Sequence, residues 1–263
     1  LMNITTQIFR KIVRPVIQKA GFDLIRHNME RPNERLYPLD IPNDIIKLTE
    51  KIKLYTLTNI KRINALSNAV KYIIEKEIQG SFVECGVWKG GSVMVIAHTL
   101  MDMGITDRDI YLYDTFTGMC APTNVDIGLL GDLATETFER TKTSNDTSTY
   151  CLSPLEEVTE NVLSTGYPKE KLHFIKGKVE DSLPLQMPGE IALLRLDTDW
   201  YESTKHELIH LYPHIKTNGV LIIDDYGDWQ GAKKATDEYI EENNLSILLN
   251  RIDSSLRLAI KTE

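Results

Sequence analysis

Two stretches of this sequence, LLRLDTDWYESTKHEL at residues 193–208 and GVLIIDDYGDW at residues 219–229, decide the fold. In each stretch a short apolar run ends abruptly in acidic side chains, which are Asp197, Asp199, Asp224 and Asp225. A continuous apolar run of this length is typical of a strand buried on both faces, as in a parallel sheet. The segment between the runs predicts a helix, so we expect a strand–helix–strand unit whose strands are parallel and adjacent.

The acidic side chains at these strand ends predict a ligand site. Ligands of open α/β sheets bind at the carboxyl ends of the strands, and a dense group of carboxylates suits Mg²⁺, Mn²⁺ or Ca²⁺. A single aspartate in this position is often only a turn former or a helix cap, and Asp199 or Ser203 could cap the following helix. Because two consecutive strands end in DTD and DDYGD, we favour a functional cluster.

The composition limits the classes of protein that fit. The chain has 263 residues, of which 42 % are hydrophobic and 26 % charged, so it suits one large α/β domain with appendages. Its net charge of -8 argues against a nucleic-acid groove. It has neither a long apolar run nor a signal-peptide pattern, so we expect a cytosolic protein with no integral membrane segment. The three cysteines are widely spaced, which favours reduced thiols over disulfides.

Residues 1–42 form a predicted N-terminal extension that differs from the rest of the chain. Apolar side chains recur at helical spacing over residues 8–17 with basic side chains on the other face, and Pro15 should kink or divide this amphipathic helix. Such a helix can touch a membrane surface, but packing on its own domain or on a sister subunit is more common. We favour packing, which makes a homodimer a candidate. Residues 31–42 resemble a linker.

Residues 43–263 alternate between predicted helices and strands. The predicted helices cover residues 45–78, 90–104, 155–166, 201–211 and 231–244, and SFVECGV, DIYLYD and KLHFIKG predict strands that precede the two acidic ones. Residues 115–150 predict a long irregular insertion, and residues 245–260 predict a terminal hairpin. This order is typical of an α/β fold with a doubly wound, mostly parallel sheet and an antiparallel C-terminal hairpin.

A glycine-rich turn and an acid at the next strand end predict a nucleoside site. In ECGVWKGGS, residues 84–92, the glycines permit close approach of a ligand to the backbone at a helix N-terminus. The spacing lacks the dinucleotide fingerprint, and the alternative is a simple tight turn. Asp114 ends the second strand, where an acid can accept hydrogen bonds from ribose hydroxyls or merely cap a helix. The combination favours nucleoside binding.

Three histidines suggest zinc but do not make a convincing site. His206 and His210 lie one helical turn apart, and His214 follows Pro213. The sequence around them lacks the glutamate of a zinc-protease motif. We therefore favour a solvated or packed helix face.

Four motifs in order resemble one family. They are ECGVWKGGS, YDTFTGM, LRLDTDWYESTKHELIHLYPHI and GVLIIDDYGDWQGAKKATDEYI, and together they resemble the macrocin O-methyltransferase family over about residues 55–245. The resemblance implies a class I, Rossmann-like methyltransferase fold. It also implies the cofactors S-adenosylmethionine and Mg²⁺, and methyl transfer to a sugar hydroxyl. The N-terminal extension, the insertion at 115–150 and the C-terminal hairpin depart from the family pattern, so the acceptor does not carry over.

The resemblance also implies roles for individual residues. It places Glu84, Gly86 and Ser92 around the methionine part of the cofactor, Asp114 at the ribose, and Val179 and Glu180 beside the adenine. It implies that Asp197, Asp224 and Asp225 bind the metal and that Asp199 is the catalytic base.

The chemistry follows from the acidity of a sugar hydroxyl, which is very weak. A divalent cation that coordinates the hydroxyl would lower its pKa, and a carboxylate base would remove the proton. Two other functions fit the same motifs: a catechol-type O-methyltransferase, and a non-catalytic protein that binds a nucleotide or a metal. A comparison of phenolic with sugar acceptors would test the catechol-type alternative. Turnover of the methyl donor would exclude the non-catalytic alternative.

Overall fold

The computed structural model describes residues 37–263, and the predicted amphipathic helix and the first half of the predicted linker lie outside them. Contacts divide the chain into one unit over Leu1–Leu39 and a second over Asp40–Glu263, and the α/β fold belongs to the second. The boundary predicted after residue 42 stays a prediction. Among residues 37–263, none of the helices combines the length and the apolar content that a membrane crossing requires.

The fold is built on a seven-stranded sheet with the order β3-β2-β1-β4-β5-β7-β6. Its strands are β1 (Ser81–Cys85), β2 (Ile110–Asp114), β3 (Leu172–Lys176), β4 (Ile191–Leu196), β5 (Ile215–Ile223), β6 (Asn250–Arg251) and β7 (Arg257–Ile260). The first five strands are parallel, whereas β7 pairs antiparallel with β5 and with β6. The predicted fold class and the antiparallel C-terminal pair are therefore confirmed.

Helices connect these strands in the predicted alternation. They are α1 (Asn43–Ile52), α2 (Ile60–Glu75), α3 (Gly91–Asp102), α4 (Ala134–Thr141), α5 (Leu155–Leu163), α6 (Val179–Ser182), α7 (Tyr201–Leu211) and α8 (Gln230–Glu242). Within the described residues, α2 packs on α3, and α7 packs on α8.

The strand order brings the chemistry-bearing segments to one edge of the sheet. The chain runs outward from β1 to β3 and then returns to place β4 on the other side of β1, with β5 beyond it. Strands β4 and β5 are adjacent and parallel, as predicted, with Leu196 paired to Ile223 at their carboxyl ends. A crevice opens at the carboxyl ends of the strands where the order reverses, and this is where such sheets bind ligands.

The predicted helix over residues 45–78 is wrong in its middle. Residues 53–59 separate α1 from α2, and the Asn59 side chain accepts hydrogen bonds from the backbone N–H groups of Lys61 and Arg62. The Thr56 hydroxyl also accepts a hydrogen bond from the N–H of Thr58. Short polar side chains compete with the helix for backbone hydrogen-bonding groups. The first helix therefore ends before this segment, and Asn59 caps the start of α2.

Two other elements differ from prediction in extent. The insertion at residues 115–150 contains the helix α4, which its polar composition had hidden. The C-terminal hairpin is shorter than predicted, because its two strands pair only through Asn250 with Leu258 and Arg251 with Arg257. Leu245, Ile247 and Leu249 pack against the core outside regular strand structure.

Candidate active site

A cavity of about 410 Å³ opens at the carboxyl ends of β1, β2, β4 and β5. Its wall contains every site residue that the sequence singled out: Glu84, Gly86, Ser92, Asp114, Val179, Glu180, Asp197, Asp199, Asp224 and Asp225. The structure therefore brings these residues together around one space. Their individual roles stay predictions.

Gly86 shapes the turn at the end of β1. Its backbone has a φ of 81°, and a Cβ atom there would lie 2.0 Å from the backbone oxygen of Asp197. The N–H of Gly86 donates to the carbonyl of Tyr113 at 2.9 Å. Only glycine fits so close to the neighbouring strand in this conformation. The turn is therefore tied to the ends of both β2 and β4.

The turn is covered from outside by the segment that separates α1 from α2. The N–H of Gly91 donates to the carbonyl of Tyr55 at 2.9 Å, and a Cβ atom at Gly91 would lie 2.4 Å from that oxygen. The correction to the predicted helix thus matters for the site, because residues 55–59 form one wall of the cavity.

Asp114 holds the glycine turn in place. One of its carboxylate oxygens accepts hydrogen bonds from the N–H groups of Val87 and Trp88 at 2.7 and 3.1 Å. The other accepts from the N–H of Phe116 at 2.7 Å. Burial raises the pKa of Asp114, although these backbone hydrogen bonds oppose the rise. Each carboxylate oxygen can accept more than one hydrogen bond, so the predicted contact with ribose stays compatible with this arrangement.

Backbone strain is present in the cavity wall. Trp88, Cys151 and Asp199 have φ values of 47°, 51° and 66°, in the left-handed region that side chains other than glycine rarely adopt. Such conformations persist only where the surrounding structure enforces them, and they are frequent at functional sites.

Three carboxylates form a compact cluster on the other side of the cavity. Asp197, Asp199 and Asp225 each offer an oxygen atom, and these atoms lie within 4.8 Å of one another. Burial raises the pKa of Asp197 although the Arg195 charge opposes the rise, and burial followed by the charges of its acidic neighbours raises the pKa of Asp225. Burial is also the main reason that the pKa of Asp199 rises to about 7. Within residues 37–263, the Oδ2 atom of Asp225 is buried and has no hydrogen-bond partner. This donor set fits a hard divalent cation.

Arg195 is the residue that sequence reasoning missed. It is the last but one residue of β4, with 2 % of its side chain exposed, and it donates to Asp197 and Asp224 at 2.6 Å each, and to Glu84. A buried charge must be paired, and Arg195 neutralises part of the acidic cluster from below. The signal was present in the sequence, because an arginine interrupts the apolar run LLRL.

Arg62 of α2 adds a second guanidinium to the site. It pairs with Asp224, donates to Asp253 at 2.7 Å in the turn between β6 and β7, and lies 3.6 Å from Asp228. Both oxygen atoms of Asp224 therefore face guanidinium groups. The compact cluster and the predicted set of metal ligands have Asp197 and Asp225 in common. The predicted role of Asp224 as a metal ligand stays a prediction.

The three histidines lie on and after α7. The rings of His206 and His210 have centroids 4.3 Å apart, and His206 contacts the carbonyl oxygen of Leu183 at 3.1 Å. His214 contacts the carbonyl oxygen of Gly189 at 3.1 Å.

Comparison with known proteins points to one family. A family model described as "Macrocin-O-methyltransferase (TylF)" matches residues 8–257. Demethyldecarbamoylnovobiocin O-methyltransferase of Streptomyces niveus is 32 % identical over 199 residues, covering 76 % of this chain and 72 % of that protein. The 8-demethyl-8-(2,3-dimethoxy-alpha-L-rhamnosyl)-tetracenomycin-C 4'-O-methyltransferase of Streptomyces olivaceus is 29 % identical, covering 76 % of this chain and 73 % of that protein.

Solved structures agree with these matches. The structure of the O-methyltransferase NovP superposes with a TM-score of 0.69 at 28 % identity, covering 80 % of this chain and 83 % of that chain. The calicheamicin methyltransferase CalS11 superposes with a TM-score of 0.56 at 15 % identity, covering 86 % of this chain and 98 % of that chain. At that identity the second match speaks for the fold alone.

Proposed function

Since this chain belongs to the macrocin O-methyltransferase family, we propose that it methylates a hydroxyl group of a sugar-bearing metabolite with the help of a divalent cation. Family membership makes it an S-adenosylmethionine-dependent O-methyltransferase that modifies sugars. The cation, the roles of individual residues and the acceptor are the proposal.

The observation that carries the proposal is the pairing of two features in one cavity. The glycine turn after β1 offers a backbone surface for the methyl donor, and the cluster of Asp197, Asp199 and Asp225 lies across the same space. The relatives support a sugar acceptor, because their names include a rhamnosyl 4'-O-methyltransferase and a mycinamicin III 3''-O-methyltransferase.

The cofactor side of the site positions the methyl donor. Glu84, Gly86 and Ser92 would surround its methionine part, Asp114 its ribose, and Val179 and Glu180 its adenine. Because the sulfonium methyl is already activated, the task of these residues is to hold it in line with the acceptor oxygen.

The acidic side of the site deprotonates the acceptor. Asp197, Asp224 and Asp225 would hold a divalent cation, and such a cation, when bound, lowers the pKa of a nearby hydroxyl. Asp199 lies three residues after the end of β4 and two residues before the first residue of α7, and we assign it as the base that accepts the hydroxyl proton. Arg195 holds Asp197 and Asp224 in position from the sheet below.

A direct test combines metal removal with a choice of acceptors. The purified protein, S-adenosylmethionine and either methyl glycosides or 3,4-dihydroxybenzoate would be incubated with Mg²⁺ or with excess EDTA, and S-adenosylhomocysteine would be measured. We expect turnover with glycosides that EDTA abolishes and Mg²⁺ restores.

Each other outcome has a clear reading. Turnover with the phenol alone would favour the catechol-type alternative. Full activity of the metal-free protein would exclude a role for the cation in the reaction. Donor binding without any turnover would favour a non-catalytic protein. The homodimer and the cytosolic location stay predictions, for which sedimentation and cell fractionation are the tests.

A further inference from the structure

A second, smaller cavity of about 90 Å³ lies next to the main one. Four residues line both cavities and thus form a shared wall: Met119, Tyr150, Trp200 and Trp229. The far side of the second cavity comes from the insertion and includes Asp132, Ala134, Thr137 and Phe138. The space is therefore an annex of the active site, built mainly by residues 115–150.

The shared wall is an aromatic surface with a fixed geometry. Trp200 and Trp229 meet edge to face, with ring centroids 4.9 Å apart at 81°. Trp200 is 6 % exposed, and its indole N–H donates to the carbonyl of Cys120 at 3.1 Å. The backbone N–H of Trp229 donates to the backbone carbonyl of Asp225 at 3.0 Å, which ties residue 229 to the end of the acidic segment. A rigid aromatic surface here suits the apolar face of a pyranose ring.

Tyr150 links the acidic cluster to the second cavity. Burial first, and then charges that include Asp199, Asp225 and Asp132, raise the pKa of Tyr150 to about 12. The phenol thus keeps its proton at neutral pH and can act as a hydrogen-bond donor. Within residues 37–263 its hydroxyl has no hydrogen-bond partner.

The size and lining of the second cavity limit what it can hold. At about 15 Å³ for each water-sized group, 90 Å³ accommodates about six such groups, which is too few for a hexose ring with its hydroxyls. The lining mixes the apolar side chains of Met119, Ala134 and Phe138 with the polar groups of Tyr150 and Asp132. The exocyclic carbon of a hexose ring is a small substituent of this mixed character, because it is apolar as a methyl group and carries one hydroxyl as a hydroxymethyl group.

We propose that the second cavity receives the exocyclic carbon of the acceptor's hexose ring while the ring lies against Trp229 with its reactive hydroxyl at the acidic cluster. This proposal rests on the proposed function, because it takes the acceptor to be a sugar. It assigns acceptor selectivity to the insertion, through Thr137, which lines the second cavity alone, and Tyr150, which lines both cavities.

The test uses three methyl glycosides that differ only at this carbon. Methyl α-L-lyxopyranoside has hydrogen there, methyl α-L-rhamnopyranoside has a methyl group, and methyl α-L-mannopyranoside has a hydroxymethyl group. With the wild-type protein and Mg²⁺, we expect kcat/KM for the rhamnoside to exceed that for the lyxoside by about tenfold or more, as for a buried methyl group.

Two matched variants locate this preference. Thr137→Leu fills the second cavity without reaching the main one, and we expect it to reduce the rhamnoside-to-lyxoside ratio to about one. Thr135→Leu makes the same change on the same helix at a position that lines neither cavity, and it should leave the ratio as in the wild type. Thermal melting of both variants checks that they fold.

A third variant tests the Tyr150 hydroxyl in the shared wall. Tyr150→Phe keeps the ring, and it should lower kcat/KM for the mannoside relative to the rhamnoside by about fivefold, as for one lost hydrogen bond. Because Tyr150 is 38 % exposed, this change does not disturb the core.

The outcomes separate the two proposals. Methylation of the glycosides with the same ratio in Thr137→Leu and Thr135→Leu, or without any wild-type preference, would overturn the subsite and leave the proposed function standing. If the wild type methylates 3,4-dihydroxybenzoate and none of the glycosides, the proposed function fails and the subsite fails with it.

Discussion

The two halves of the cavity are built in different ways. The glycine half, which consists of the turn at residues 84–92 and Asp114, is shaped by backbone N–H groups and by the space that Gly86 leaves. The acidic half, which consists of Asp197, Asp199, Asp224 and Asp225, is a collection of side-chain charges held by the guanidinium groups of Arg195 and Arg62. The glycine half should tolerate changes in charge but not in shape. The acidic half should tolerate changes in shape but not in charge.

The largest effect is expected from Asp199 in the acidic half. Asp199→Asn keeps the shape of the side chain and removes its basicity, so kcat should fall by about 10²–10⁴-fold while donor and metal affinity barely change. Steady-state kinetics and calorimetry with S-adenosylhomocysteine would measure both.

Asp228→Asn is a suitable control for this variant. Asp228 also lines the cavity, but its side chain is 40 % exposed and it does not belong to the compact cluster. If Asp199→Asn instead lost the metal and kept its rate at saturating Mg²⁺, Asp199 would be a ligand and the base would lie elsewhere.

The next effect concerns the counterion below the cluster. Arg195→Met keeps the length of the side chain but leaves Glu84, Asp197 and Asp224 without their buried partner, so the free energy of unfolding should fall by about 3–5 kcal/mol. Urea unfolding at pH 7 would measure the loss. Arg140→Met, at an exposed position on α4, should change stability by less than about 0.5 kcal/mol. A similar small loss in both variants would show that the acidic half does not depend on Arg195.

A smaller effect is expected in the glycine half. Asp114→Ala removes the acceptor of the Val87 and Trp88 N–H groups and the predicted partner of the ribose, so S-adenosylhomocysteine affinity should fall by about 1–3 kcal/mol. Asp114→Asn, which keeps one acceptor oxygen, should lose less. Calorimetry that found equal affinity in the wild type and Asp114→Ala would exclude Asp114 from the donor site.

The smallest effect lies at the rim, where Asp253 anchors Arg62. Burial raises the pKa of Asp253, but hydrogen bonds from Arg62, Asn59 and the N–H groups of Ser255 and Leu256 outweigh it and hold this pKa well below its usual range. A depressed folded pKa stabilises the protein above the unfolded pKa of about 4, and this contribution disappears as the pH falls further.

Asp253→Asn should therefore cost about 1 kcal/mol at pH 7, and the difference from the wild type should shrink below about pH 4. Urea unfolding of both proteins at several pH values would show this trend. A difference that stayed constant down to pH 3 would mean that the ionised carboxylate contributes nothing beyond its shape.

Much of the fold could be predicted because its signals are local. Apolar runs that end in carboxylates identify β4 and β5, and the alternation of strands with helices identifies the doubly wound sheet. The glycine turn and Asp114 were placed correctly at the strand ends, since a residue next to a strand end remains at that edge of the sheet. The break between α1 and α2 was missed because hydrophobic spacing continues across it, while the cap at Asn59 depends on hydrogen bonds to Lys61 and Arg62.

The sequence by itself determined the succession of the five parallel strands, the family and the residues that meet at the edge of the sheet, because each depends on short-range patterns. Only the tertiary structure decided how the acidic cluster is neutralised, since Arg195 reaches back to Glu84 and Arg62 reaches forward to Asp224 and Asp253. It also decided that Trp200, Trp229 and Tyr150 share one wall. Pairings between residues so distant along the chain leave no periodic signal, because the folded sheet and not the local spacing brings them into contact.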